Sequence, residues 1–233
     1  MASTYCPADA FNQSKVFIKL MPLDQLTPFI LDNAMQMFWM AAPWRWTLGN
    51  MPVVTLEASR VDYTIVDPAD LLFIQPGSAY ISAGDSDVGR DVNVVAHISN
   101  VVKRVSAAPT EVCHPAVNTI RISPKPGATV TSGTQLVSLY KKTCPRITKA
   151  NMNTLGVQVF PDEWFNVYLS AVLYQAYLYA DDGRAGGVQY TEGGQRVYTG
   201  QRGVFEANLQ QMREIEPLLV QQSPPVDTAK RGR

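Results

Sequence analysis

Beginning at Leu26, apolar residues recur with a helical period. Phe29, Ile30, Met37, Met40 and Ala41 follow that spacing and predict a helix. Thr27 suits its N-cap, and Pro28 suits the first helical position because its missing N–H would find no partner there anyway. Leu26 and Leu31 have the spacing of a hydrophobic staple across that start. Pro43 ends the helix, since the residue before a proline avoids the α region.

After Met51 the period shortens to that of β-strands. Val53–Leu56, Tyr63–Val66, Leu71–Gln75, Val92–Val105, Asn118–Ser123 and Gln135–Lys141 are alternating or β-branched runs. Asp67-Pro68, Gln75-Pro76-Gly77, Gly84-Asp85 and Ser123-Pro124-Lys125-Pro126-Gly127 punctuate them as turns. With no helix-length pattern between them, these runs predict an antiparallel sheet or small sandwich rather than βαβ units.

Helical spacing returns at Phe160-Pro161-Asp162-Glu163-Trp164, where a proline and two carboxylates suit a helix start. One face of the helix carries Phe165, Tyr168, Leu169, Val172, Ala176 and Tyr179. The other carries Trp164, Val167, Ala171, Tyr174 and Leu178, so both faces need cover. The first helix can cover one, and a neighbouring subunit is the expected cover for the other. Asp181–Gly203 holds seven glycines in 23 residues and reads as a flexible loop or arm. A last helix is expected over Val204–Glu216, with Phe205, Leu209, Met212 and Ile215 on one face and Pro217 as its stop.

The expected organisation is an α+β fold. Its parts are an N-terminal extension (1–22), a bundle helix (23–50), a β-rich domain (51–159), a helical part (160–217) enclosing the glycine-rich loop 183–203, and an extended tail (218–233). N- and C-terminal helices pack as a small bundle beside the antiparallel middle.

Composition sharpens this. Of 233 residues 46% are hydrophobic and only 17% charged, against about 25% charged in an average chain, which favours an assembled state. The formal net charge of zero gives no global field for nucleic acid or an anionic membrane. Cys6, Cys113 and Cys144 lack metal-site spacing and are expected as unpaired thiols of a reducing compartment. Residues 1–6 lack signal-peptide features, and Trp164–Ala180 is too short and too interrupted to span a bilayer. A protein made in a cytoplasm, with no membrane contact, is expected.

Candidate chemistry is thin. Gly84-Asp85-Ser86-Asp87 has the look of a serine-esterase block, but the only histidines, His97 and His114, lie outside a matching pattern, and a turn is the better reading. Asp85, Asp87, Gly89 and Asp91 depart from the order of a calcium loop and lack its closing glutamate. The glycine-rich segment has no phosphate-loop motif. No catalytic, cofactor or metal residue is therefore assigned. Three of the four tryptophans, Trp39, Trp44 and Trp46, fall within eight positions; packing in a core or interface is preferred over a cation cage.

The element order resembles a known family. Ala42-Pro43-Trp44-Arg45-Trp46-Thr47 closes the first helix, Phe160–Trp164 opens a second that closes at Leu178-Tyr179-Ala180-Asp181-Asp182, and Gly203-Val204-Phe205-Glu206-Ala207 begins the last. Over roughly residues 20–217 this is similar to the head-to-tail adaptor (connector) proteins of tailed bacteriophages, the tail tubular protein A family. The resemblance implies a non-enzymatic virion protein at the head–tail junction: a homo-oligomeric ring, usually twelvefold, bound to the portal protein and to the next tail protein (nozzle, stopper or tube). Phage DNA passes non-specifically through its lumen, whose wall is expected not to be strongly basic. Trp39, Trp44, Trp46, Trp164, Phe165, Tyr168, Tyr174 and Phe205 are the expected assembly residues, with Pro43–Trp46 as a hinge. Arg184, Arg196, Arg202, Lys230, Arg231 and Arg233 are candidate portal or DNA contacts. The alternatives are a serine hydrolase around Ser86 and a monomeric β-sandwich binding module.

Overall fold

The computed structural model describes residues 4–14, 26–83, 86–98, 108–127, 133–157 and 160–222, the side chains of 83, 86–89 and 217–222 excepted. The chain is α+β, with N-terminal helices packed on C-terminal ones and antiparallel sheets between them in sequence. It divides into a helical unit built from both chain ends (Met1–Ala42 and Pro145–Arg233) and a β unit (Pro43–Cys144).

Among the described residues of the β unit, eleven short strands make three sheets: β1 (Leu48–Asn50), β2 (Val54–Thr55), β3 (Asp62–Thr64), β4 (Leu71–Ile74), β5 (Tyr80–Ala83), β6 (Ser86–Asp91), β7 (Asn93–Val94), β8 (Glu111–Ala116), β9 (Thr119–Ser123), β10 (Thr134–Val137) and β11 (Leu139–Lys142). Their orders are β1-β11-β4, β2-β10-β5-β6 and β3-β9-β8-β7. Every pairing is antiparallel except β7 with β8. The expected run Gln135–Lys141 is two strands in different sheets, parted at the buried Ser138, whose carbonyl accepts from Met51 N–H at 3.0 Å. Strand alternation fills one core: Ile120 and Ile122 of β9 point inward, joined by Val54, Tyr63, Ile74, Ile81, Val112, Leu136 and Tyr140. Of the expected run Val92–Val105 only Asn93–Val94 is strand, and residues 99–107 lie outside the described residues.

The helical unit contains α1 (Pro7–Ser14), α2 (Thr27–Met40), α3 (Phe165–Tyr179), α4 (Gly200–Gln222) and a hairpin of β12 (Val188–Tyr190) and β13 (Arg196–Tyr198). Helix α3 is the spine, and α1, α2 and α4 all pack on it. Phe29 meets Tyr179 edge-on at 5.3 Å, while Phe38 meets Phe160 at 5.1 Å, so α2 runs antiparallel to α3. The Tyr168 hydroxyl donates to Leu31 O at 3.2 Å. The buried Asp32 accepts from Ile147 N–H at 2.8 Å and pairs with Arg146 at 2.9 Å. Arg213 Nη2 donates to Ala41 O at 3.0 Å, satisfying a carbonyl at the end of α2.

Several sequence expectations are corrected here. Thr27 does not cap α2: Leu26 already has helical backbone angles and its carbonyl accepts from Ile30 N–H at 3.0 Å, so Thr27 is inside the first turn. The supposed N-terminal extension holds α1. Tyr5 stacks on Phe165 at 4.2 Å, and Thr4 N–H and Oγ1 donate to the Asp162 carboxylate at 3.1 and 2.5 Å. With α1, α2 and α4 of its own chain around it, α3 keeps few exposed positions, Asn166 and Leu178 among them, and needs no neighbouring subunit to bury its two faces. The glycine-rich segment is an ordered 3-10 turn (Gly183–Ala185) and hairpin rather than a loose arm. Helix α4 starts at Gly200 and continues through Pro217, which removes one N–H from the helix ladder without ending the helix.

Candidate assembly surface

Most tryptophans are packing residues of this chain. Trp39 and Trp44 are each 2% exposed, and Trp164, Phe165, Tyr168 and Phe205 are buried as well. A side chain enclosed by its own chain leaves little area for another subunit, so these six pack within the chain. Trp46 and Tyr174 are half-buried. The rings of Trp44 and Trp46 stack at 5.8 Å with an interplanar angle of 11°. The 3-10 turn that carries Trp46 (Arg45–Thr47) is closed by Thr47 N–H and Oγ1, which donate to Trp44 O at 2.8 and 2.7 Å. Lys141 Nζ donates to Thr47 Oγ1 at 2.6 Å, and burial lowers this amine's pKa to about 8.

Exposed large hydrophobic side chains occur in both units, Val66, Val117, Phe29 and Met40 among them, and one group of them lies at the C-terminal end of α3 and in the hairpin that follows. Leu178 is 51% exposed, Val188 46% and Tyr190 67%, and Val197 is exposed beside them. The register Val188↔Tyr198 and Tyr190↔Arg196 places Val188, Tyr190, Arg196 and Tyr198 on one face of the hairpin, with Gln189 and Val197 on the other. Arg196 lies 6.0 Å from the Tyr190 ring centroid. Its pKa is raised through hydrogen bonds to Tyr198 and Tyr190.

Two glycines hold the hairpin at its base. Gly186 (φ +71°) and Gly200 (φ +57°) pass so closely that a Cβ on Gly186 would lie 2.0 Å from Thr199 O, and one on Gly200 would lie 2.7 Å from Gly186 N. Thr199 N–H donates to Gly187 O at 2.9 Å, and Gly187 N–H donates to Thr199 Oγ1 at 3.1 Å, locking the crossing. A cleft of about 450 Å³ opens beside it, lined by Tyr177, Leu178, Asp181, Asp182, Val188 and Thr199 among others. Asp181 is exposed and holds a left-handed backbone (φ +51°) at the end of α3.

Two of the candidate contact arginines are engaged within the chain. Arg184 forks onto Asp182 and stacks 4.5 Å over Tyr177; its guanidinium holds the Asp182 carboxyl down at about 2. Arg202 pairs with Glu206 at 2.5 Å and lies 5.3 Å from both the Tyr174 and Tyr198 rings. Arg196 is exposed, and Lys230, Arg231 and Arg233 lie outside the described residues.

Gly84 and Asp85 lie outside the described residues, and Ser86 opens strand β6 with its backbone paired to Ala83. Five residue steps along the strand, roughly 17 Å, separate Ser86 from Asp91, the end from which the chain enters β7 beside β8. His97 is exposed, and His114 Nε2 is 2.9 Å from Asp67 Oδ1. Asp67 also accepts from Asn118 N–H at 2.7 Å, while its own N–H donates to Asn118 Oδ1 at 3.0 Å, so the carboxylate ties two connections of the β unit together. Burial pushes the Asp67 pKa up, but the Asn118 N–H and His114 outweigh it and hold the carboxyl below its ordinary range. Among the described residues no group of three His, Cys, Asp or Glu side chains could hold a metal, and no helix is long and apolar enough to cross a membrane. Cys6, Cys113 and Cys144 form no disulfide, and Cys6 and Cys113 are buried.

A scan of protein-family models matches none to this chain, and a search of curated proteins finds no match.

Proposed function

We propose that this chain is a structural adaptor of a tailed-phage virion, one subunit of a ring that joins the portal to the tail and continues the DNA channel. The observation that carries the reading is the exposed aromatic hairpin at the end of α3, fixed at its base by the Gly186–Gly200 crossing. A ribbon anchored at its base and carrying apolar side chains into water is suited to protein contact. The low charge of the chain supports the same reading, as does the element order by which it resembles connector proteins. In this role the helical unit supplies a stiff body and the hairpin a contact surface. The chain supplies no chemistry, and DNA moves past without being bound.

The test is co-sedimentation of the purified protein with tailless capsids that carry a portal, and with procapsids that lack one. The expected result is saturable binding to the portal-bearing particles alone. Binding to neither, together with esterase activity that disappears in Ser86→Ala, would replace the adaptor with a hydrolase.

A further inference from the structure

The hairpin poses an energetic problem that points to its partner. Strands of three residues, exposed on both faces, form a ribbon that is marginal in water by itself. Its base is locked, yet Val188, Tyr190 and Val197 remain open, and Leu178 continues the apolar area into the cleft. Charge identifies what covers it. Residues 181–203 carry three acidic groups (Asp181, Asp182, Glu192) and three basic ones (Arg184, Arg196, Arg202), so the segment is neutral and does not repel itself. The ion pairs of this region among the described residues are Arg184–Asp182 and Arg202–Glu206. That leaves Arg196 on the ribbon, Asp181 on the cleft wall, and Glu192 in the turn at the ribbon's far end. A surface with a cation on its projecting part and an anion on its recessed part, joined by apolar side chains, is complementary to itself.

Resting on the adaptor reading, we infer that the occupant is a second copy of this chain. The far end of one copy's hairpin enters the cleft of the next, bringing Arg196 of the first to Asp181 of the second, with Tyr190 against Leu178. The positions of the two charges make the contact directional, because Arg196 stands on β13 and Asp181 just past the end of α3, different parts of each copy. A contact of that kind generates a ring when its rotation closes.

The experiment is sedimentation velocity over a concentration series with the full chain and two charge reversals, Arg196→Glu and Asp181→Lys. The wild type is expected to associate. Each reversal alone should weaken association at least about tenfold, as like charges then meet. An equimolar mixture of the two variants should restore it. In alternating order the two introduced, opposite charges face each other at one contact, and the native Arg196 meets the native Asp181 at the next. Thermal unfolding checks that both variants fold. Asp181→Asn, which suits the left-handed backbone, replaces the lysine variant if that one does not, and should weaken association less.

Wild-type protein that stays monomeric at every concentration overturns the inference. So do single reversals that associate normally, or a mixture that fails to recover. Particle binding by the same samples separates the two claims. Association that ignores these charges while capsids are still decorated leaves the adaptor standing and removes this contact. Association that follows the charges without decoration does the reverse.

Discussion

The tryptophan-rich end of α2 and the tyrosine-bearing hairpin after α3 look alike in sequence, each an aromatic cluster beside a helix terminus. Their fates are opposite. Trp39 and Trp44 are enclosed, whereas Tyr190 faces solvent on a ribbon held by two glycines. Aromatic density alone therefore does not mark an interface. What separates the two is whether the chain's own elements reach the ring. Helix α2 lies on the α3 spine, while the hairpin has only its base attached.

The contrast is broken most forcefully at Trp39. Trp39→Ala should cost roughly 3–5 kcal/mol, the range for large aromatic truncations in a core, read by urea unfolding. A loss under about 1 kcal/mol would mean that Trp39 is not a core residue.

Gly186→Ala comes next. The new methyl meets backbone at 2.0 Å and the residue has φ +71°, so a cost of roughly 2–3 kcal/mol is expected. Proteolysis should then cut first within residues 188–198. A variant as stable and as resistant as wild type would show that the crossing does not hold the hairpin.

These two sites also show what sequence can and cannot disclose. The fold class is legible because α3 and the longer β runs carry their period openly. Helix α1 is not, since the eight residues of Pro7–Ser14 are too few to display a period, and its place is set by tertiary contacts such as Tyr5 on Phe165. Strand β8 is hidden by Pro115 within it. The hairpin reads as a loop because glycine count suggests freedom, whereas Gly186 and Gly200 serve a close approach between residues fourteen positions apart. The buried tryptophans read as an interface because an all-round apolar helix demands cover without saying whose. The Asp182–Arg184 pairing, two residues apart, is the site contact whose spacing could disclose it.

Within the β unit, Lys141 gives a pH signature. Its folded-state pKa of about 8 lies below the ordinary value near 10.4. The folded state therefore binds fewer protons than the unfolded chain between those values, and stability rises with pH there. Between pH 8 and 9.5 the gain should approach about 2 kcal/mol, and Lys141→Met should flatten it. Above pH 10 the trend turns, because the Tyr140 hydroxyl is held up to about 12 by burial and by Asp70, so the unfolded chain loses that proton first. Urea midpoints at pH 7.5, 8.5 and 9.5 read the slope, and a flat wild-type profile would contradict the buried amine.

The smallest effect belongs to Tyr190. Tyr190→Ala should change unfolding stability by less than about 0.5 kcal/mol, since the ring is mostly in water. The same variant should weaken self-association. Equal losses at Tyr190 and Trp39 in unfolding would erase the distinction between the two clusters.

The most direct measurement is negative-stain imaging of the purified protein, alone and mixed with portal-bearing, tailless capsids. The adaptor account predicts rings with a central hole, or added density confined to one vertex of each particle. Single small particles that never decorate a capsid would contradict it.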